Sequence, residues 1–130
     1  MNPKGKTMGE DIIKILVVDD DEDDFVLVRD LIQEAARSCF TVDWVSTYEE
    51  GLQEIGESRH HVYLVDYRLG SRSGLELLRE ARSSGCEAPI ILLTGQGNRE
   101  VDMAAMAAGA SDFLDKTELK GTFLERSIRY

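Results

Sequence analysis

A doubly wound α/β fold is the architecture that this sequence predicts: five parallel strands in one sheet, helices on both faces, three layers α/β/α in all. Three observations predict it. First, Ile12–Val18, His61–Asp66 and Ile90–Leu93 are short and almost wholly apolar, the pattern of strands buried on both faces. Second, the segments between them carry apolar residues at helical spacing with charged residues on the other side. Third, strand and helix alternate five times with short connections, and right-handed crossovers then require a mostly parallel sheet covered on both faces.

In chain order, residues 1–11 (Met1–Asp11) read as a loose polar tail, and 12–130 as one domain. The first strand, Ile12–Val18, is broken only by Lys14. Phe25, Val28, Leu31, Ile32, Ala35 and Ala36 mark the buried stripe of the first helix, with Arg29, Asp30, Gln33, Glu34 and Arg37 opposite. Asp23 and Asp24 fall at its start, where carboxylates cap orphan N–H groups and meet the positive end of the helix dipole. Phe40–Val45 alternates apolar and polar residues, as a more exposed strand does. Thr47 with Glu50 is a capping-box pattern for a second helix running to about Ile55.

His61–Asp66 is the third strand and ends in a carboxylate. Gly70–Gly74 reads as a flexible loop, and Leu75, Leu78 and Ala81 mark a third helix ending near Ser84-Gly85. Pro89 introduces the strand Ile90–Leu93, which stops at Thr94-Gly95-Gln96-Gly97. Arg99–Ala108 has a strongly helix-forming Ala- and Met-rich composition, with Gly109 as its C-terminal cap. Phe113-Leu114 is a short strand before Asp115-Lys116. Phe123, Leu124, Ser127 and Ile128 outline a last helix.

The 130 residues suffice for one compact domain, and 42% hydrophobic with 31% charged content is that of a globular chain. A net charge of -10 argues against nucleic acid or an anionic membrane as a direct partner, and suits a site that concentrates cations. Cys39 and Cys86 lack paired spacing and read as reduced thiols, which makes the cytoplasm the simplest setting. Met1–Glu10 has no apolar core of the kind a signal peptide needs, and no apolar run approaches membrane-spanning length.

Functional groups in such sheets collect at the carboxyl ends of the strands. Four of those ends carry polar groups: Asp19 and Asp20 on the first, Asp66 on the third, Thr94 on the fourth and Lys116 on the fifth. Along one sheet edge they converge into three carboxylates, a hydroxyl and an ammonium. Carboxylates so gathered repel one another unless a cation offsets them, and Mg²⁺ suits such a site because it takes hard oxygen ligands and few protein carboxylates. Lysine and hydroxyl can hold phosphoryl oxygens, so the set equips the sheet edge for phosphoryl transfer.

With those residues in place, the chain resembles the receiver domain of two-component response regulators from about Ile12 to Tyr130, a CheY-like, flavodoxin-like (βα)5 fold. The motifs that carry the resemblance are Val-Val-Asp19-Asp20, Leu-Val-Asp66-Tyr-Arg-Leu with Gly74-Leu75-Glu76-Leu77 following, Leu-Leu-Thr94-Gly95, and Asp112-Phe113-Leu-Asp-Lys116. The resemblance implies that Asp66 is the phosphoacceptor, attacking a phosphohistidine on a partner kinase or phosphotransfer protein. It implies Mg²⁺, or Mn²⁺ in its place, held by Asp20 directly, by Asp19 largely through water, by Asp66, and by the backbone carbonyl of Arg68. Thr94 and Lys116 would bind phosphoryl oxygens, Gly95 would leave the phosphate unobstructed, and Phe113 would turn inward as Thr94 moves. The domain would switch an output domain or partner, and the resemblance suggests partner contact or dimerisation through the face of its fourth helix, fifth strand and fifth helix.

Two positions depart from the family pattern. Gly70 stands where Pro is frequent, which predicts a looser loop, and Thr117 stands where Pro commonly follows the lysine. A cis bond before a non-proline residue costs about 2.5–4 kcal/mol, so a trans Lys116–Thr117 bond is expected. Arg68 and Gln96 sit where the family varies the residues that tune phosphate lifetime.

Plainer roles are assigned to the other singular residues. Asp21–Asp24 are expected in a solvated turn and helix cap. His60 and His61, at the sheet end opposite the acids, are expected to be exposed. Trp44, Met103 and Met106 are read as packing. Two competing functions remain: a haloacid-dehalogenase-type Mg²⁺ phosphatase with Asp19 as nucleophile and Asp19-x-Asp21 as its acid pair, and a pseudo-receiver that only binds proteins. The segment ending at Tyr130 looks like receivers whose last helix runs on into a linker to another module.

Overall fold

A computed structural model describes residues 12–35, 40–95, 99–116, 119, 127 and 128. The expected tail, Cys39, Gln96, the Lys116–Thr117 bond and most of the last helix lie outside the described residues. Five strands form one parallel sheet: β1 (Ile13–Val18), β2 (Phe40–Val45), β3 (Val62–Asp66), β4 (Ile90–Thr94) and β5 (Asp112–Asp115), in the order β2-β1-β3-β4-β5. Four helices connect them: α1 (Glu22–Ala35), α2 (Tyr48–Glu57), α3 (Gly74–Ser83) and α4 (Arg99–Ala107).

Side chains alternate across each strand, so every central strand feeds two cores. Leu16 and Val18, Tyr63 and Val65, and Ile90 and Leu92 pack with Tyr48, Ile55, Leu77, Leu78, Ala81 and Ala105 from α2, α3 and α4. Ile15 and Val17, Val62 and Leu64, and Ile91 and Leu93 pack on the other face with Val28 and Ile32 of α1 and with Ile128. This two-sided burial is why β1, β3 and β4 tolerate scarcely a polar residue until their last position. β2 is an edge strand and keeps its alternating pattern, with Thr41 and Asp43 exposed.

The connections are more ordered than the sequence reading expects. Gly70–Gly74 does not form a featureless loop. Arg68–Leu69 and Arg72–Ser73 pair as a two-stranded antiparallel hairpin, and Gly74 already belongs to α3. Ser73 and Glu76 close a reciprocal capping box over the start of α3, a pattern that Ser-x-x-Glu spells in the sequence. At α2 only half of the predicted box forms: Thr47 Oγ1 accepts the Glu50 N–H at 3.1 Å, while the Glu50 carboxylate accepts the Thr47 hydroxyl at 3.0 Å.

Val101 and Ala105 of α4, with Ala108 just past its end, face the core, spaced four and three apart. Met103 and Met106 lie on the opposite face and are 66% and 48% exposed, so they are not the packing residues expected. Nor is His60 exposed as expected. Its side chain is only 5% accessible, its Nε2 lies 2.8 Å from Asp43 Oδ2, and its ring meets Tyr63 edge-on at 5.9 Å. His61 is exposed, and its Nδ1 accepts the Lys14 N–H at 2.9 Å. No helix among the described residues is long and apolar enough to cross a membrane.

Candidate functional site

The carboxyl ends of β1, β3 and β5 bring their polar residues together. Asp19, Asp20 and Asp66 each place a carboxylate oxygen so that the three lie within 4.8 Å of one another. Lys116, just past β5, reaches over them: its Nζ lies 3.2 Å from Asp19 Oδ2 and 3.2 Å from Asp66 Oδ1. These contacts span 97 positions of chain in one case, so only the parallel sheet creates them.

Asp19 is fully buried, and each of its polar groups has a partner. Its N–H donates to the Val45 carbonyl at 3.1 Å, continuing the β1–β2 ladder. Its carbonyl accepts the indole N–H of Trp44 at 2.7 Å, and its Oδ1 accepts the Asp21 N–H at 3.0 Å. Trp44 is thus more than packing: its ring stacks on Phe25 at 5.1 Å while its N–H fixes the backbone of Asp19. An indole N–H that is partly buried has to find an acceptor, but sequence gives no means of naming it.

Asp20 is exposed, and its Oδ2 accepts the N–H of Gly70 at 3.0 Å. The expected looser loop is therefore tied to the acidic cluster. Gly70 has φ +64°. Proline, frequent here in the family, has no N–H to donate and cannot adopt that angle.

Asp66 ends β3 and is 5% exposed. Its backbone is held by α3 from below: a Cβ on Gly74 would sit 2.2 Å from the Asp66 carbonyl oxygen, and the Gly74 N–H donates to the Tyr67 carbonyl at 2.7 Å. Gly74 is therefore set by close approach of the helix start to the strand end.

Thr94 ends β4 beside Asp115 of β5 and is 3% exposed. Its hydroxyl points sideways, 3.5 Å from the Leu114 carbonyl, rather than bonding the acidic cluster. Phe113 is half-buried against the core beneath α4. Gly95 is exposed, and a Cβ there would meet nothing within 4 Å. Arg68 opens the hairpin with its side chain exposed.

One acid falls outside the expected set. Asp21 caps α1, its Oδ1 accepting the Asp23 N–H at 2.9 Å and its carbonyl the Phe25 N–H at 3.1 Å. Asp24 instead turns to Lys116, with Oδ2 2.5 Å from Nζ. No sequence spacing foretells this pair, which joins residues 92 positions apart.

The electrostatics follow from the crowding. Burial, and then the charge of Asp19, push the Asp66 carboxyl up from its ordinary value to about 7, and Lys116 only partly opposes this. Burial likewise raises Asp19, against the pull of the Asp21 N–H and Lys116. Burial works against the charge of Lys116, but Asp24, Asp66 and Asp19 more than offset it and hold the ammonium above the usual lysine range. An excess of carboxylates over ammonium, all hard oxygens, is a donor set that fits a small divalent cation.

Comparison with known proteins agrees with this geometry. Residues 15–127 match the family described as response regulator receiver domain. The two-component response regulator PhoP of Pseudomonas aeruginosa is 38% identical over 104 residues, covering 80% of this chain and 45% of that protein. The response regulator MprA of Mycobacterium ulcerans is 32% identical over 105 residues, with 80% and 44% covered. The chain thus spans less than half the length of these relatives. Among solved structures, a response regulator receiver domain from Clostridium thermocellum superposes with a TM-score of 0.79 at 28% identity, covering 90% of this chain and 91% of that one. The parallel sheet, the acids at its carboxyl edge and these matches together make the chain a member of the response regulator receiver domain family of two-component signalling.

Proposed function

We propose that Asp66 accepts a phosphoryl group from a phosphohistidine on a sensor kinase or phosphotransfer protein, and that the resulting aspartyl phosphate switches the domain. The observation that carries this reading is the placement of Lys116 Nζ 3.2 Å from Asp66 Oδ1 above three converging carboxylates. An Asp66 oxygen attacks phosphorus in line, the P–N bond breaks, and the imidazole leaves. Asp19, Asp20, Asp66 and the Arg68 carbonyl would hold Mg²⁺, or Mn²⁺ in its place. When bound, the ion supplies positive charge against the phosphoryl oxygens. Asp19 is positioned for this by its bonds to Trp44, Asp21 and Val45. Lys116 pairs with a phosphoryl oxygen, and Gly95 leaves that approach open. The Thr94 hydroxyl exchanges its long contact to Leu114 for another phosphoryl oxygen, and Phe113 moves inward with it.

Incubation with acetyl phosphate and Mg²⁺ tests the reading. A mass gain of one phosphoryl group, labile to base and absent from Asp66→Asn, is expected. No gain, or a gain that persists in Asp66→Asn, refutes it. The phosphatase alternative would need Asp19 as nucleophile, yet both of its carboxylate oxygens are engaged and it is fully buried. Phosphomonoester turnover surviving Asp66→Asn but lost in Asp19→Asn would restore that alternative. Retained partner binding by a protein that never takes up phosphate would restore the pseudo-receiver.

We further read the domain as a cytoplasmic module that controls an output domain or partner protein and does not itself touch nucleic acid or membrane, consistent with the charge of -10. The exposed Met103 and Met106 on α4 support a contact face built from α4, β5 and the following helix, across which phosphorylated copies would pair.

A further inference from the structure

The contact between Asp24 and Lys116 has no role in the set above. Lys116 has three N–H donors, and three carboxylates surround it: Asp19 and Asp66 at 3.2 Å each, and Asp24 at 2.5 Å. The first two belong to the trio that converges for a cation, and Asp24 does not. A dication entering that trio competes with the ammonium for the same oxygens and repels it. The Lys116 side chain is only 12% exposed, so it cannot simply retreat into water, and a buried ammonium without a partner is costly.

We propose that Asp24 is a positioning residue for Lys116: it holds the ammonium at the rim of the pocket, so that Asp19 and Asp66 are released to a divalent cation. This rests on reading Asp66 and its neighbours as a Mg²⁺-dependent phosphoacceptor site. Asp24 is built to stay at that rim. It lies in the first turn of α1, and that turn is locked by the bonds of Asp21 to the Asp23 and Phe25 N–H groups. The stack of Phe25 on Trp44 fastens the same turn to β2. With Asp24 removed, Lys116 has, among the described residues, only Asp19 and Asp66 to pair with, and it competes directly with the cation. The loss of one negative charge acts in the same direction.

The test is Mg²⁺ titration of the metal-free protein by calorimetry, with circular dichroism to show that each variant folds. Asp24→Ala is expected to raise the Kd for Mg²⁺ about tenfold, and Asp24→Asn, which keeps an acceptor but not the charge, about threefold. Asp23→Ala removes the same charge from the same turn but touches no part of Lys116, and is expected to shift Kd by less than about twofold. In a Lys116→Met background, Asp24→Ala should cost no more than Asp23→Ala, because the effect runs through the lysine. If wild type binds Mg²⁺ and Asp24→Ala binds like Asp23→Ala, or if the effect of Asp24→Ala survives in Lys116→Met, the positioning role is overturned while the functional reading stands. If wild type binds no Mg²⁺, both fall.

Discussion

Gly74→Ala isolates the way the fold supports the site. Alanine is a better helix residue than glycine by up to about 1 kcal/mol, so propensity alone predicts a gain in α3. The structure predicts a loss. The new Cβ would lie 2.2 Å from the Asp66 carbonyl oxygen and 3.0 Å from Val65 Cγ1. Relieving that contact means moving strand end or helix start by about 1 Å, and overpacking of this kind costs about 1–3 kcal/mol net. At roughly 4 °C per kcal/mol for a domain of this size, the melting temperature should fall by about 4–12 °C. The shift also carries the Asp66 carboxylate out of line, and a misplacement near 1 Å reduces a positioned reaction by on the order of 10²-fold. Urea unfolding and the rate of acetyl phosphate labelling measure the two effects. Gly56→Ala is the control: it lies inside α2, its Cβ would meet nothing within 4 Å, and it should stabilise by about 0.5–1 kcal/mol. A Gly74→Ala protein as stable and as readily labelled as wild type would refute the argument.

Two further outcomes follow from the site. Asp66 has a folded-state pKa of about 7, above its unfolded value, so the folded protein holds an extra proton between about pH 4 and pH 7. Without metal, stability should therefore fall as pH rises through that window, by on the order of 2–4 kcal/mol, and level off above it. Asp66→Asn stays neutral and should lack this component, gaining on wild type at pH 8 but not at pH 4. Urea melts in chelator decide the matter, and a wild type and variant with parallel pH profiles would refute it. Trp44→Phe can keep the stack on Phe25 but leaves the Asp19 carbonyl without its donor, so a loss of about 1–3 kcal/mol is expected in the same assay. Unchanged stability would remove the indole N–H from the account.

Much of this protein is legible in its letters. Strands buried on both faces have to be apolar throughout, so Ile15–Val18, Val62–Val65 and Ile90–Leu93 announce themselves, and the polar residues at their ends stand out by contrast. Helical spacing, the Thr47 cap and the glycine at 109 likewise mark their elements because each reflects a local rule of the chain. The acids Asp19, Asp20 and Asp66 could be grouped because a parallel sheet puts all its carboxyl ends on one edge. The readings that failed turned on which face a residue occupies or what it meets across the fold. Met103 and Met106 point away from the core, His60 is enclosed by Asp43 and Tyr63, and the segment from Gly70 to Gly74 is hairpin and helix start. Sequence alone determined the sheet-and-helix plan and the residues of the acidic edge, because periodicity and strand-end chemistry are local. Only the tertiary structure decided the strand order β2-β1-β3-β4-β5, the bonds of Trp44 to Asp19 and Gly70 to Asp20, and the pairing of Lys116 with Asp24. Those contacts join residues far apart in the chain, and no local pattern encodes which distant atom a hydrogen bond or an ion pair will find.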